Sequence, residues 1–206
     1  MKLKNNTNNI GIILPLKETY TKKNFGAVSV WVSEYLKLTT TKKNIVFCRK
    51  SHNNKNYLTK NVNPIIVNEK YYTNQNYIRK INDVLIKKKI NNVEIHNRPE
   101  YAIYLIDNNP NININLIFHN DPNNIRFSDT NYYKNKLLEN CKKIIFVSKW
   151  VKKKFFENLD INHKNNTEII YNFINPLKKF PKKNNLIIFS GKLNKSKGFD
   201  IFAKTI

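Results

Sequence analysis

Two His-Asn pairs stand out as groups able to do chemistry. His96-Asn97 closes the apolar run Val93–Ile95, and His119-Asn120 closes Leu116–Phe118; a proline follows each pair within three residues, Pro99 and Pro122. An imidazole titrates near neutrality, so it can hydrogen-bond a ligand hydroxyl or share developing charge. For both His119 and His96 the competing account is a ring satisfied by backbone at a strand end. Asn97, Arg98 and Glu100 crowd one turn, where ion pairing at a helix start is the plainer explanation; Asn120 and Asp121 occupy the matching turn after the second pair. A lone glycine, Gly26, precedes an apolar-periodic stretch, where a small residue lets backbone N–H groups approach an anion or simply starts a helix. In SGKLNKSKG, Lys192, Lys195 and Lys197 lie between an apolar run and Gly198. Three ammonium groups beside a helix N-terminus suit a diphosphate, although lysine is abundant throughout this chain.

Other chemistries lack their signatures. There is no G-x-G-x-x-G, no G-x-x-x-x-G-K-[ST] and no G-x-S-x-G, so neither a dinucleotide fingerprint, a P-loop nor a nucleophile elbow is present. His96 and His119 are well separated in sequence and lack cysteine partners, so no metal-ligand cluster is read. Cys48 and Cys141 match no metal or redox spacing and read as buried thiols in a reducing compartment.

The elements that would position these groups follow from hydrophobic pattern. Tyr101, Leu105 and Ile106 recur at helical spacing between Val93–Ile95 and Leu116–Phe118, a strand–helix–strand unit with parallel, buried neighbours. Both histidines then fall at carboxyl ends of parallel strands, where open α/β sheets place their ligand crevice. Ile10–Leu14 reads as the first, central strand, and Leu16–Phe25 as a loop. After Gly26, Val28, Trp31, Val32, Tyr35 and Leu36 line one face of a helix. Ile45–Cys48 and Pro64–Val67 are short strands. Asn76–Lys89 is helical, with Ile78, Ile81 and Leu85 inward and Ile86 flanking them. Asp129 is the expected cap of a helix over Asn131–Asn140. Lys143–Val147 is a strand, and Ser148 caps a helix over Lys149–Asn158 that turns Trp150, Val151, Phe155 and Phe156 inward. Glu168–Tyr171 is a further strand. The alternation predicts a doubly wound parallel sheet over residues 1–172. Residues 173–185, with Pro176 and Pro181 among lysines, read as a linker. Leu186–Ser190 (strand), Gly191–Lys197 (turn) and Gly198–Ile206 (helix) restart the same grammar as a second domain.

The 206 residues are 40% hydrophobic, enough for a packed core, and carry a formal net charge of +23. A polyanionic partner would use such a charge. The excess is spread along a chain rich in Lys, Asn and Ile, as AT-rich codons produce, which favours compositional bias. No RNP, zinc-finger or helix-turn-helix signature supports specific nucleic-acid binding. Ile10–Leu14 stops at Pro15, too short for a signal core, and no stretch approaches the ~20 apolar residues of a membrane span. A cytoplasmic protein is expected.

Taken together, IIFVSKWVKKKFF, EIIYNFINP and LIIFSGKLNKSKGFDIF resemble the GT-B glycosyltransferases of the family 4 type, which read "VS.w…f", "vI.NGid" and "lifvGRL…KG.d" in that order. EIHNRPEYAIYL with LIFHNDP further resembles the subgroup acting on envelope polysaccharide or lipopolysaccharide. The resemblance covers nearly the whole chain. It implies two Rossmann-like domains, an acceptor-side N-terminal one and a nucleotide-sugar-binding C-terminal one, with a retaining sugar transfer to an acceptor hydroxyl. It implies no cofactor and no metal. Carried over, His119 contacts the donor sugar, Gly26 neighbours its phosphates, and Lys192 and Lys197 hold the diphosphate; His96, Asn97, Arg98, Asn120 and Asp121 are acceptor-side or structural. Peripheral contact with the anionic inner face of the cytoplasmic membrane is also implied, with a saccharide or lipid-linked acceptor.

The sequence departs from that pattern in places. Lys192 stands for the family's arginine, which loses bidentate phosphate geometry. Phe173 stands for a glycine, and Gly26-Ala27 for Gly-Gly. The family's acidic pair, E-x7-E, would lie beyond Ile206. A fragment is therefore expected, with only the first part of the donor domain and no transfer of its own. A non-catalytic GT-B-like binding domain is the alternative, and behind it a basic nucleic-acid-binding protein.

Overall fold

Seven short strands, Ile10–Ile13 (β1), Asn44–Arg49 (β2), Ile65–Val67 (β3), Asn92–His96 (β4), Asn113–Phe118 (β5), Lys143–Phe146 (β6) and Thr167–Ile169 (β7), form one sheet ordered β3-β2-β1-β4-β5-β6-β7. Every neighbouring pair is parallel. The structure is a computed structural model that describes residues 9–39, 44–50, 56–59, 62, 64–67, 73–159, 165–173, 182, 185–191 and 193–205. Two compact units divide the chain, Met1–Ile174 and Asn175–Ile206.

In the first unit, parallel strands need crossovers, and the helices α1 (Ala27–Leu38), α2 (Asn74–Lys87), α3 (Pro99–Asn108), α4 (Asn131–Asn140) and α5 (Lys149–Phe156) are spaced along the chain to supply them. Side chains alternate across each strand, so successive residues join different packing clusters. Ile12 and Leu14 pack with Val28, Val32 and Leu36 of α1 and with Val46 and Cys48 of β2. Ile13, Phe47, Val93, Ile95, Leu116 and Phe118 enter the larger cluster with α2, α3 and α5. Burying one such apolar side chain stabilises the fold by about 1.5–3 kcal/mol relative to leaving it exposed. The order matches a doubly wound Rossmann-like sheet whose direction of winding reverses between β1 and β4.

In this unit the side chains correct three expectations. Ile86 is 57% exposed rather than flanking the inward face of α2: one residue past buried Leu85, it is turned about 100° away. Trp150 is 54% exposed, while Val151 and Phe155 are buried; that i, i+4 pair sets the inward face of α5 and carries Trp150 off it. The cap of α4 is Thr130, whose hydroxyl accepts from the Tyr133 N–H at 3.4 Å, while Asp129 instead accepts from the Phe127 N–H at 3.2 Å. Ser148 caps α5 as expected, accepting from the Val151 N–H at 3.1 Å. Both cysteines are free and buried, and burial pushes each thiol up to about 12, which leaves them unreactive.

In the second unit, a 3₁₀ turn at Lys195–Lys197 leads through Gly198, in the left-handed region at φ 72°, into α6 (Phe199–Thr205). Phe189 packs against Phe199 and Phe202, with ring centroids 5.3 Å away in each case. Leu186–Ser190 has no ladder partner among the described residues, and a strand requires one. Leu186, Ile187 and Ile188 are exposed.

Candidate functional site

The residues after β1, β4 and β5 converge on a cleft of about 510 Å³. Lys17 and Glu18 come from the segment after β1, Asn97 and Arg98 from the turn after β4, and His119 and Asn120 from the turn after β5. Trp31 of α1 and Asn172 complete its wall. This is the strand-end position at the reversal of winding where such sheets bind ligands.

Each contributor is held from behind. The Leu16 N–H donates to the Tyr101 hydroxyl oxygen at 3.2 Å, and Tyr77 donates to the Leu14 carbonyl at 3.2 Å, so two buried tyrosines fix the backbone leading to Lys17. Asn97 sits at φ 55°, a left-handed conformation that asparagine tolerates better than most residues. From there its Oδ1 accepts from the backbone N–H groups of both His119 and Asn120 at 3.3 Å, while its own N–H donates to the Ile117 carbonyl at 2.7 Å. The β4 and β5 ends are thereby stapled together.

The two histidines, far apart in sequence, meet: His96 Nδ1 lies 3.0 Å from His119 Nε2. On its other side His96 Nε2 lies 2.7 Å from Glu94 Oε1. Glu94 and His96 are two residues apart on β4 and so share a face. His96 is completely buried behind His119, so it backs the cleft rather than lining it. Burial first, and the neighbouring His96 second, push the His119 imidazole down to about 3. It is neutral at physiological pH. The indole of Trp31 packs on both rings, 5.2 Å from His96 and 5.6 Å from His119, and also meets Phe173 at 5.8 Å. Among the described residues no group of three His, Cys, Asp or Glu side chains could hold a metal ion; the nitrogens of His96 and His119 point at each other instead.

Arg98 donates to the Asn97 carbonyl at 2.9 Å, and its Nε has no partner among the described residues. Its guanidinium is placed to meet an anionic or polar ligand in the cleft. Asp121 does not line the cleft; it caps the 3₁₀ turn Pro122–Asn124, accepting from the Asn123 N–H at 3.0 Å. Glu100, in the first turn of α3, lines a separate cavity.

An anion does sit at the start of α1, and it is the chain's own. The Glu18 carboxylate accepts from the Ser29 N–H and from the Ser29 hydroxyl, both at 2.7 Å, and Ser29 Oγ in turn accepts from the Gly26 N–H at 2.8 Å. A Cβ on Gly26 would fall 2.2 Å from Glu18 Cδ. A ligand phosphate reaching this helix start must compete with Glu18. Gly26→Ala should displace the carboxylate and lower stability by about 1 kcal/mol, the usual value of a helix cap. In thermal melts, Glu18→Ala should then cost far less in the Gly26→Ala background than in the unmodified chain, because both changes remove one interaction. Full additivity would show that the carboxylate had not been displaced.

The low value of His119 also fixes a pH dependence. Unfolded, the ring titrates near 6.5; folded, near 3. Between those values only the unfolded chain takes up the proton, so acidification favours unfolding. Stability should fall by up to about 1.4 kcal/mol per pH unit on going down from pH 6.5. Denaturant titrations across this range should show a smaller slope for His119→Ala, and equal slopes would mean that the ring charges freely in the folded protein.

Of the expected site residues, the structure brings His119, Asn97, Arg98 and Asn120 to the cleft wall and His96 directly behind it. Gly26 lies at the helix start behind Glu18. Lys197 is exposed on the second unit, and Lys192 lies outside the described residues. Sequence reasoning missed Trp31, counted as a packing residue, as well as Glu18 and Glu94. The available signal for Glu94 was a carboxylate between the apolar residues Val93 and Ile95, two residues from a histidine.

No protein-family model matches the chain, and no curated protein does. Solved structures do. Anabaena Alr3699/HepE, in complex with UDP and glucose, superposes with a TM-score of 0.53 at 11% identity, over 81% of this chain and 45% of that one. A glycosyltransferase from Rickettsia africae ESF-5 gives 0.53 at 23% identity, over 81% and 43%. The fold is Rossmann-like and matches theirs. The chain spans less than half the length of either.

Proposed function

We propose that this chain is the acceptor-side part of a GT-B glycosyltransferase of the family 4 type, moving sugar from a nucleotide-sugar to an acceptor hydroxyl. The observation that carries the reading is a neutral imidazole, His119, in the strand-end cleft of a sheet whose fold is similar to that of a protein solved with UDP and glucose. A neutral ring beside Trp31 suits a sugar: one polar contact to a hydroxyl and an apolar surface for the ring face. Arg98 and Lys17 add positive charge for a departing diphosphate. Transfer is retaining and uses no metal or cofactor, and Lys192 and Lys197 belong to the diphosphate side. The partition is an acceptor-side domain over 1–172, a linker over 173–185 and the beginning of a donor domain from 186. The acceptor is an envelope saccharide, lipid-linked or free, met at the inner face of the cytoplasmic membrane, where the positive charge strengthens contact with anionic lipid.

The test is to extend the reading frame past Ile206, express the protein, and assay UDP release from UDP-glucose and other nucleotide-sugars with envelope saccharide acceptors. Acceptor-dependent release supports the reading. Nucleotide-sugar binding without release supports the binding-domain alternative, and neither binding nor release removes the transferase reading.

A further inference from the structure

His119 meets the cleft through a ring whose Nε2 is already engaged. Two histidines joined by one N···N contact share a single bridging proton, and what lies on the far side of His96 decides its owner. There Glu94, as a carboxylate, can only accept. His96 therefore carries its proton on Nε2, directed at Glu94 Oε1 2.7 Å away. A neutral His96 then has a bare Nδ1, and the 3.0 Å contact is a hydrogen bond only if His119 donates from Nε2. The opposite arrangement needs a second proton on the fully buried ring of His96, or one on Glu94.

We propose that Glu94 and His96 are positioning residues that hold His119 in its Nε2–H form, so that the unprotonated Nδ1 serves the cleft as acceptor for a ligand hydroxyl. The logic is that of a carboxylate fixing an imidazole tautomer, lengthened by one ring. Its consequence is a selection rule. A hydroxyl can donate to Nδ1, whereas a phosphate dianion or a carboxylate has no proton to offer and is disfavoured at this position. The charged and titratable groups around the relay are Lys17 and Glu18 after β1, Tyr35 of α1, which feels Glu94, and Arg98 after β4. The anionic part of a ligand falls to Lys17 and Arg98, and the hydroxyl-bearing part to His119. This assignment of substrate groups rests on the transferase reading; the tautomer itself does not.

The test is nitrogen NMR of the 206-residue chain labelled with ¹⁵N-histidine, reading long-range couplings that separate protonated from bare ring nitrogens. His119 should be protonated at Nε2 and bare at Nδ1, as a single form, at neutral pH. In Glu94→Leu, which removes the acceptor from His96, the single form should give way to a mixture of both tautomers, with the backbone amide spectrum otherwise retained. A proton on His119 Nδ1 in the unmodified chain overturns the proposal, even if the variant does not fold. So does a folded Glu94→Leu whose His119 signals are unchanged. If the tautomer is as expected but the extended protein neither binds nor turns over a nucleotide-sugar, the relay stands and the transferase reading falls.

Discussion

On the proposed transferase reading, His119→Ala in the extended protein should lower turnover at least a hundredfold and leave the fold intact. The lower bound is the usual cost of removing one preorganised polar contact at a reacting centre, about 10²–10³ in kcat. The ring is the titratable group that both lines the cleft and is backed by a hydrogen-bonded pair, Glu94 and His96. Removing it takes away the group proposed to accept from a substrate hydroxyl and one wall of the cleft beside Trp31. The fold should survive because the β5 end is pinned through its backbone: Asn97 Oδ1 takes the N–H groups of residues 119 and 120 whatever side chain follows. Circular dichroism and a melting curve check the second half of the expectation, and initial rates at saturating donor check the first. Unchanged turnover would remove His119 from the reacting centre. A loss confined to KM would make it a binding contact alone.

Phe118→Ala, one residue earlier, should do the reverse, costing about 3–5 kcal/mol of stability. Phe118 is completely buried and stacks on Phe146 at 5.8 Å and against Phe155 at 5.5 Å. Those three rings join β5, β6 and α5, and truncation leaves a hole that rigid parallel strands cannot close. Measured against the 5–15 kcal/mol typical of a whole domain, that loss brings the chain near unfolding at ordinary temperature. The urea midpoint should drop sharply while the m-value holds. A change below about 1 kcal/mol would mean that the aromatic cluster collapses around the gap. The contrast between neighbours is physical: period 2 sends Phe118 to the core and leaves His119 where the strand ends.

Strand existence was readable because a buried parallel strand is an unbroken apolar run, and IGII and LIF are short enough to exclude helices. The location of the cleft was readable too, since both His-Asn pairs terminate short strands, one an unbroken apolar run and the other interrupted by Glu94. What could not be read was contact. Nothing in the spacing of His96 and His119 says that their rings touch; that depends on β4 and β5 being neighbours in register, with His96 opposite Ile117. Glu18 was lost for a related reason: a loop carboxylate eleven residues before Ser29 caps α1 only through a tertiary turn. Trp31 fits the apolar stripe of α1 and yet lines the cleft, because the stripe reaches the carboxyl ends of β4 and β5, where its indole meets His96 and His119. Ile86 and Trp150 fail oppositely, as apolar residues just off a buried face, where periodicity resolves direction no better than one residue.

The sheet order also sets a sequence of assembly. β4 through β7 are neighbours both in space and along the chain, so each pairing closes only a modest loop. β1 must instead find β4, setting Ile10 beside Asn92, after the whole of α1, β2, β3 and α2 has been accommodated. Closing that span carries the larger entropy cost and is the slower event. The cleft has one wall on the segment after β1 and the others after β4 and β5. The cleft therefore depends on the longest-range pairing of the sheet: a chain in which β1 has not docked on β4 has no binding site.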